Sequence, residues 1–504
     1  MRLKQDVKNV AATWLGLLIH ASVGFLLSPF ILHRLRDEAF SVWILVFALA
    51  GYFGLLDFGI RSAIVKYTAK FTALHDSEQL SRHLSTSLAF YTLVAFFVLL
   101  TTAVGSMYLH LLFKLPTGLI RTARILFLLS GIGIACAFPL SVFAGVLEGL
   151  QKFSWLQLSQ IGVTLLRAVL IVVALTYGGG LLAIGVITIA LSLLSYLIFL
   201  WMAMRVLSVR IGWAYVDKRT FREMASYGVF AFAILAAEKL RFQSDAIVIG
   251  AFLSASAITL FSIGSKLVEY ASYAVRGMSQ IFTPMSSEFH AAGDLDRLRR
   301  AFLAGNRACA LITFPLCVTL VILGKPIIAS WVGARYLTSY YVLVLLIVPR
   351  TVYLAQSTST RILLGMGHHR VLASVLLLEG AGNLLLSVLL VRPLGVLGVA
   401  LGTAIPLICT SVFFLPRHLC SLLDVPLLGF VRRAYYLPLI LCLPMAAALW
   451  VVRVEFPVHS IAGLALQISF GGIVYALGFA VAVFKGGFPQ PRTWQAFAQL
   501  LEPK

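Results

Sequence analysis

Long apolar runs alternate with short polar interruptions along this chain, and the runs set its architecture. Stretches of about 20 predominantly apolar residues are long enough to cross a bilayer as a helix. They fall at 10–32, 40–64, 84–113, 119–147, 155–177, 181–204 and 224–252, then at 258–282, 301–323, 338–364, 371–391, 395–416, 434–452 and 460–484. That gives fourteen predicted spans. None has the roughly ten-residue apolar/polar alternation of a barrel strand, so the expected fold is all-α. Arg2, Lys4 and Lys8 precede a first run that is long and lacks a small-x-small cleavage site, so it reads as an uncleaved first span.

The seventh run is the anomaly. MASYGVFAFAILAAEKLRFQSDAIVIGAF carries Glu238, Lys239, Arg241 and Asp245 near its middle. Charge at membrane depth is costly and normally faces a bundle interior or a wet cavity. On one continuous helix Glu238, Arg241 and Asp245 share a stripe at i, i+3 and i+7. They make either an ion-pair ladder that locks two helices together or the lining of an aqueous passage for a charged substrate.

Other spans repeat the pattern. Asp57 and Arg61 are i, i+4 neighbours in the second. Lys266, Glu269, Tyr273 and Arg276 share an arc of the eighth. Arg167, and Arg350 beside Pro349, sit near mid-depth, while Arg307 and Glu379 lie nearer the inner side. The charges singled out within the spans are eight cations (Arg61, Arg167, Lys239, Arg241, Lys266, Arg276, Arg307 and Arg350) against five acids (Asp57, Glu238, Asp245, Glu269 and Glu379), a surplus of three. Uncompensated cations favour an anionic cargo, and arginine matches phosphate oxygens in pairs. Snorkelling to inner headgroups accounts equally well for Arg61, Arg276 and Arg307. The candidate substrate-binding cations are Arg61, Arg167, Lys239, Arg241, Lys266, Arg276 and Arg350. The candidates for charge balance or a coupling ion are Asp57, Glu238, Asp245 and Glu269.

Composition agrees with a polytopic membrane protein: 504 residues, 60% hydrophobic and only 12% charged, with mean hydropathy +0.97. The net charge of +21 would suggest nucleic acid in a soluble chain. Here topology explains it. With both termini cytoplasmic, the inward segments hold 22 Lys and Arg against nine outward, as the positive-inside rule requires for an even number of spans. The six cysteines are scattered and form no CxxC pair, so neither a disulfide framework nor a metal site is expected.

The chain also repeats itself. GIRSAIVKYTAKF at 59–71 aligns with GMSQIFTPMSSEF at 277–289, Gly149 aligns with Gly365, and GGGLLAIG at 178–185 aligns with GVLGVALG at 395–402. The near-constant offset predicts two parallel six-span lobes, 1–215 and 216–423, followed by two additional spans and a short cytoplasmic tail in 424–504. Such pairs suit alternating-access carriers. No phosphate-binding loop, HExxH or nucleophile elbow is present. His368 and His369 read as a solvated turn, and the short outer segments offer an enzyme little beyond His110 and His459. No catalytic residue, metal or cofactor is expected.

The segment LSPFILHRLRDEAFSVWILVFALAGYFGLLDFGIRSAIVKYTA at 27–69 resembles the amino-terminal signature of bacterial polysaccharide transporters. These are the O-antigen-type lipid-linked oligosaccharide flippases of the multidrug/oligosaccharidyl-lipid/polysaccharide exporter superfamily. SDAIVIGAFLSASAITLFSIGSKL, FTPMSSEFHAAGDLDRL, LLGMGHHR and NLLLSVLLVRPLGVLGVALGT extend the likeness over roughly 5–420. The chain departs from the family at Leu35-Arg36 and Phe40-Ser41, where Leu-Gly and Tyr-Gly are usual, and at Phe261, where Tyr is common.

The resemblance implies a V-shaped fold in the bacterial inner membrane that moves an undecaprenyl-pyrophosphate-linked oligosaccharide outward. It also implies membrane lipids, a proton or sodium coupling ion, and polysaccharide polymerase and export proteins as partners. The alternatives are a cation-coupled multidrug-type exporter and a membrane polymerase or acyltransferase.

Overall fold

The computed structural model describes residues 2–207, 209–457 and 460–484, with side chains from residue 15 onward apart from that of Arg276. The expectations placed on the Arg276 side chain, on the cations Arg2, Lys4 and Lys8, on His459 and on the tail beyond 484 lie outside the described residues.

The chain runs through α1 (Arg2–Tyr52), a 3-10 turn (Phe53–Asp57), α2 (Ile60–Ala73), α3 (Ser77–Leu112), α4 (Ile120–Gly149), α5 (Phe153–Thr176) and α6 (Leu181–Met204). It continues through α7 (Lys218–Phe242), α8 (Ser244–Phe252), α9 (Ala255–Ser279), α10 (Phe282–Ala291), α11 (Leu295–Trp331), α12 (Ser339–Ala355) and α13 (Ser357–Gly365). It ends with α14 (His369–Ile408), a π-helical turn (Cys409–Phe414), α15 (Leu415–Leu422), α16 (Leu427–Glu455) and α17 (Ile461–Phe484). Among the described residues there is no strand.

Nine of these helical stretches are long and apolar enough to cross a membrane, or ten if α12 and α13, bent by 43° at Gln356, are one span. Two of them exceed a single crossing. Leu15–Asp57 has 43 residues and Arg36 inside it is non-helical; His369–Leu422 has 54 and breaks at Gly395. The second folds back on itself, since a Cβ on Gly402 would sit 2.3 Å from Ser387 Oγ. Counting each as two crossings, and adding the charged α7–α8 pair and α9, is consistent with the fourteen expected.

Elements up to α6 pack largely on one another: α3 on α4, α4 on α6, and α5 on α1 and α6. Later elements do the same, with α7 on α14, α12 on α9 and α11, and α16 on α11 and α17. The two groups meet where α1 lies along α8 and α9, and where α2 and α3 lie against α7.

Several local geometries occur twice at the repeat offset. Left-handed residues recur at His75 and Gly293, at Gln151 and Gly367, and at Gly178 and Gly395, which are 218, 216 and 217 positions apart. Asp76 and Asp294 each cap the helix that follows, accepting from Gln79 N and Arg297 N at 3.0 Å. Gly149 presses on the Val65 carbonyl and Thr68; Gly365 presses on the Thr283 carbonyl and Ser286.

The groups touch at both ends. At the expected outer face, Asp37 accepts from Arg335 at 2.8 Å and from Tyr336, while its carbonyl accepts from Thr259 Oγ1 at 3.1 Å. Lys114 Nζ donates to the Phe252 carbonyl at 2.8 Å. At the expected inner face, Phe58 stacks on Phe232 with centroids 5.2 Å apart, and His83 lies 4.0 Å from Glu223. The connector before α7 is held by a row of hydroxyls on α3: Ser81, Ser85 and Thr86 accept from the backbone N–H of Arg210, Gly212 and Asp217 at 3.1–3.2 Å. Asp217 in turn caps α7, and the Thr220 N–H holds its carboxylate below the ordinary range.

Candidate functional site

The seventh span is not one helix, and this corrects the predicted stripe. α7 ends at Phe242, a one-residue break at Gln243, distorted to φ −117 and ψ −14, interrupts the helix, and α8 restarts at Ser244. Asp245 therefore belongs to a different helix from Glu238 and Arg241, and the ladder does not form. Glu238 is exposed. Arg241 is 2% exposed and pairs with Glu379 of α14, equally buried. Asp245 is buried too and accepts from Thr403 Oγ1 at 3.1 and 3.2 Å.

Two cavities flank the break. One of about 380 Å³ lies between α1, the 3-10 turn, α4, α6 and α7, lined by Gly51, Gly54, Asp57, Arg61, Tyr196 and Leu235 among others. The other, about 270 Å³, lies between α8, α9, α12 and α14, lined by Gln243, Asp245, Ser265, Glu269, Ser272, Arg350 and Thr403 among others. Gln243 lines the second and lies against Gly51, which lines the first. A Cβ on Gly51 would meet Gln243 Oε1 at 2.5 Å, so a side chain there would displace the Gln243 amide.

Lys239 is drawn to the same point. Its ammonium donates to Gln243 Oε1 at 3.1 Å, and its stem passes 3.8 Å from where a Gly54 Cβ would be. Tyr52 Oη donates to the Lys239 carbonyl at 3.3 Å. Among the described residues no carboxylate lies within 4 Å of this ammonium.

The remaining candidates divide. Asp57 and Arg61 both line the first cavity, but each has its own partner: Tyr91 donates to Asp57, and Arg61 pairs with Glu148 at 2.6 Å. Arg350 and Glu269 line the second. Arg350 donates to Ser272 at 3.2 Å and shares the rings of Phe242 and Tyr353 with Arg241, while Glu269 accepts from Tyr273 at 2.8 Å. Lys266 points towards α1, 3.5 Å from Ser28 Oγ and 4.9 Å above the Phe40 ring. Arg167 lines neither cavity; it lies between α5 and α6, donating to Ser192 at 3.2 Å.

Sequence reasoning missed three members. Glu148 lies just past the fourth apolar run, outside the charges weighed within the spans, and it is the acid that Arg61 pairs with. Gln243 and Thr403 carry no charge, and no pattern singled them out.

Residues 7–290 match the family described as "Polysaccharide biosynthesis protein". A relative from Bacillus subtilis (strain 168), named "Uncharacterized membrane protein EpsK", is 23% identical over 425 residues, which is 81% of this chain and 82% of that one. The solved structure of the lipid II flippase MurJ in an inward closed conformation superposes with a TM-score of 0.71 at 17% identity, covering 95% of this chain and 99% of that one. An inward-facing multidrug resistance MATE family transporter of the MOP superfamily superposes at 0.67 and 15% identity, covering 81% and 95%. At these identities the structural likeness is one of fold.

Proposed function

Because the chain belongs to the polysaccharide biosynthesis protein family, within the superfamily of lipid-linked oligosaccharide flippases, we propose that it carries an undecaprenyl-pyrophosphate-linked oligosaccharide across the bacterial inner membrane by alternating access. The protein works as two duplicated lobes, 1–215 and 216–423, with 424–504 appended and both termini cytoplasmic. Support for the duplication comes from the repeated left-handed residues and the matched glycine crossings. The passage opens between the lobes at one face at a time, and no covalent chemistry is involved.

The observation that carries this reading is Lys239. Its ammonium touches Gln243, which lines the second cavity, its stem passes Gly54, which lines the first, and its partner is a glutamine rather than a carboxylate. A pyrophosphate entering the first cavity would meet Lys239 beside the Arg61–Glu148 pair while its polyprenyl chain stays in lipid. Arg241, by contrast, acts structurally, because burial with Glu379 already neutralises it. Asp245 is the candidate for the coupling proton or sodium ion: it is a buried carboxylate whose hydrogen bonds in the second cavity include the Thr403 hydroxyl.

The test uses a deletion strain complemented with wild type or Lys239→Gln. A lipid-linked glycan should accumulate on the cytoplasmic face in the deletion and in Lys239→Gln, with the variant present in the membrane at normal level. Normal export by that variant would remove Lys239 from the mechanism. Drug resistance conferred without any glycan phenotype would favour the multidrug-type alternative.

A further inference from the structure

We propose that the expected inner-face corner of α5 and α6 is a binding site for the phosphate of an anionic phospholipid. Lys152 precedes α5 and its ammonium sits 5.2 Å above the Trp155 ring; Arg205 follows α6 and its guanidinium sits 3.9 Å above the Trp201 ring. The two helices pack side by side, and Ser159 Oγ lies 3.9 Å from Met202 Sδ. That contact sets their level. One turn towards the inner face from it lies Trp155 on α5 and, on α6, the helix end at Arg205.

The surface is layered. The cations are outermost, Trp155 and Trp201 come next at 39% and 54% exposed, and Leu158 and Leu197 follow at 55% and 50%. This is the order of phosphate, glycerol-ester and acyl chain in a leaflet. Tryptophan belts produce such layering without selecting a headgroup. The cations make the difference. Neither Lys152 nor Arg205 is in an ion pair among the described residues, and the nearby acid in sequence, Glu148, is held by Arg61. Each cation rests over an indole face, which orients it without neutralising it. The corner thus presents two positive charges and no negative one, and a lipid with net negative charge fits it better than a zwitterion, whose own amine cancels its phosphate. The site depends neither on the cargo nor on which way the protein faces.

The experiment uses the full chain in phosphatidylcholine vesicles, titrated with phosphatidylglycerol brominated on its acyl chains, and reads tryptophan quenching against brominated phosphatidylcholine. Selective quenching by the anionic lipid is expected. Trp155→Phe and Trp201→Phe should each remove part of the selective component while leaving the other tryptophans as they are. Lys152→Gln or Arg205→Gln should weaken the preference about fivefold, and both together about 25-fold, since a cation near the surface is worth about 1 kcal/mol. Equal quenching by the two lipids overturns the proposal, as does a preference unchanged in the double variant. If the double variant fails to insert, the tryptophan variants, which keep both cations, decide the matter: a selective component that neither of them reduces overturns the site.

Discussion

Gly59, just before α2, and Gly228 of α7 meet backbone to backbone: a Cβ on Gly59 would lie 2.2 Å from the Gly228 carbonyl oxygen, and one on Gly228 would lie 2.7 Å from the Phe58 carbonyl oxygen. This contact joins the two groups of helices towards the expected inner face, two residues from each of Asp57 and Arg61, which line the first cavity. Gly59 also needs its left-handed φ of 75. The seal can exist only without side chains.

Gly228→Ala should therefore force α7 away from α2. Overpacking of this kind costs about 1–3 kcal/mol, and here separating the groups relieves it. Phe58→Cys and Phe232→Cys, replacing two stacked rings, should form a disulfide in the parent and far less of it in the Gly228→Ala background. An undiminished yield would mean that the glycine pair does not hold this face shut.

The cations of α7 should separate into two behaviours. Glu379→Ala leaves the buried Arg241 without its carboxylate, a loss of about 3–5 kcal/mol, and the protein should lose thermal stability and membrane level together. Arg241→Met combined with Glu379→Leu should recover much of that. Lys239→Gln should leave stability within about 0.5 kcal/mol yet abolish export. Thermal melting alongside the glycan assay distinguishes the two.

Arg36 occupies φ 63 and ψ 172, a region that essentially only glycine visits without strain. It is also the position where the family resemblance calls for glycine. Arg36→Gly should stabilise the protein by about 1 kcal/mol or more, read as a rise of about one degree or more in melting temperature. A fall would mean that the Arg36 side chain makes a compensating contact. The neighbouring Asp37 clasp to Arg335 and Tyr336 should survive, since it uses the next residue.

Asp217 gives a pH dependence of known sign. The Thr220 N–H and hydroxyl depress its folded-state pKa. Its stabilising contribution is therefore complete above the ordinary carboxylate value near 3.9 and disappears as the pH falls through the lower folded value. Asp217→Asn should flatten this part of the acid limb of a melting-temperature profile. An unchanged limb would show that the cap contributes nothing at the start of α7.

Much of this protein is written in one dimension. Bilayer thickness and backbone hydrogen bonding admit few solutions for runs of 20 apolar residues, so an all-helical membrane fold and the charged anomaly at 238–245 are legible without coordinates. The repeat is legible for a related reason: a left-handed turn needs glycine or a tolerant residue, and such turns leave marks at Gly178 and Gly395. Pairing is not legible in this way. Charge on a helix announces that it needs a partner but not which one, and Arg241 found Glu379 nearly 140 positions away while Arg61 found Glu148. The break at Gln243 was equally silent, because a neutral glutamine between apolar runs has no forbidden helical geometry. Which cations were neutralised and which remained facing a cavity depended on helix crossings set by close-packed glycines, and those distances arise only when all the helices are assembled.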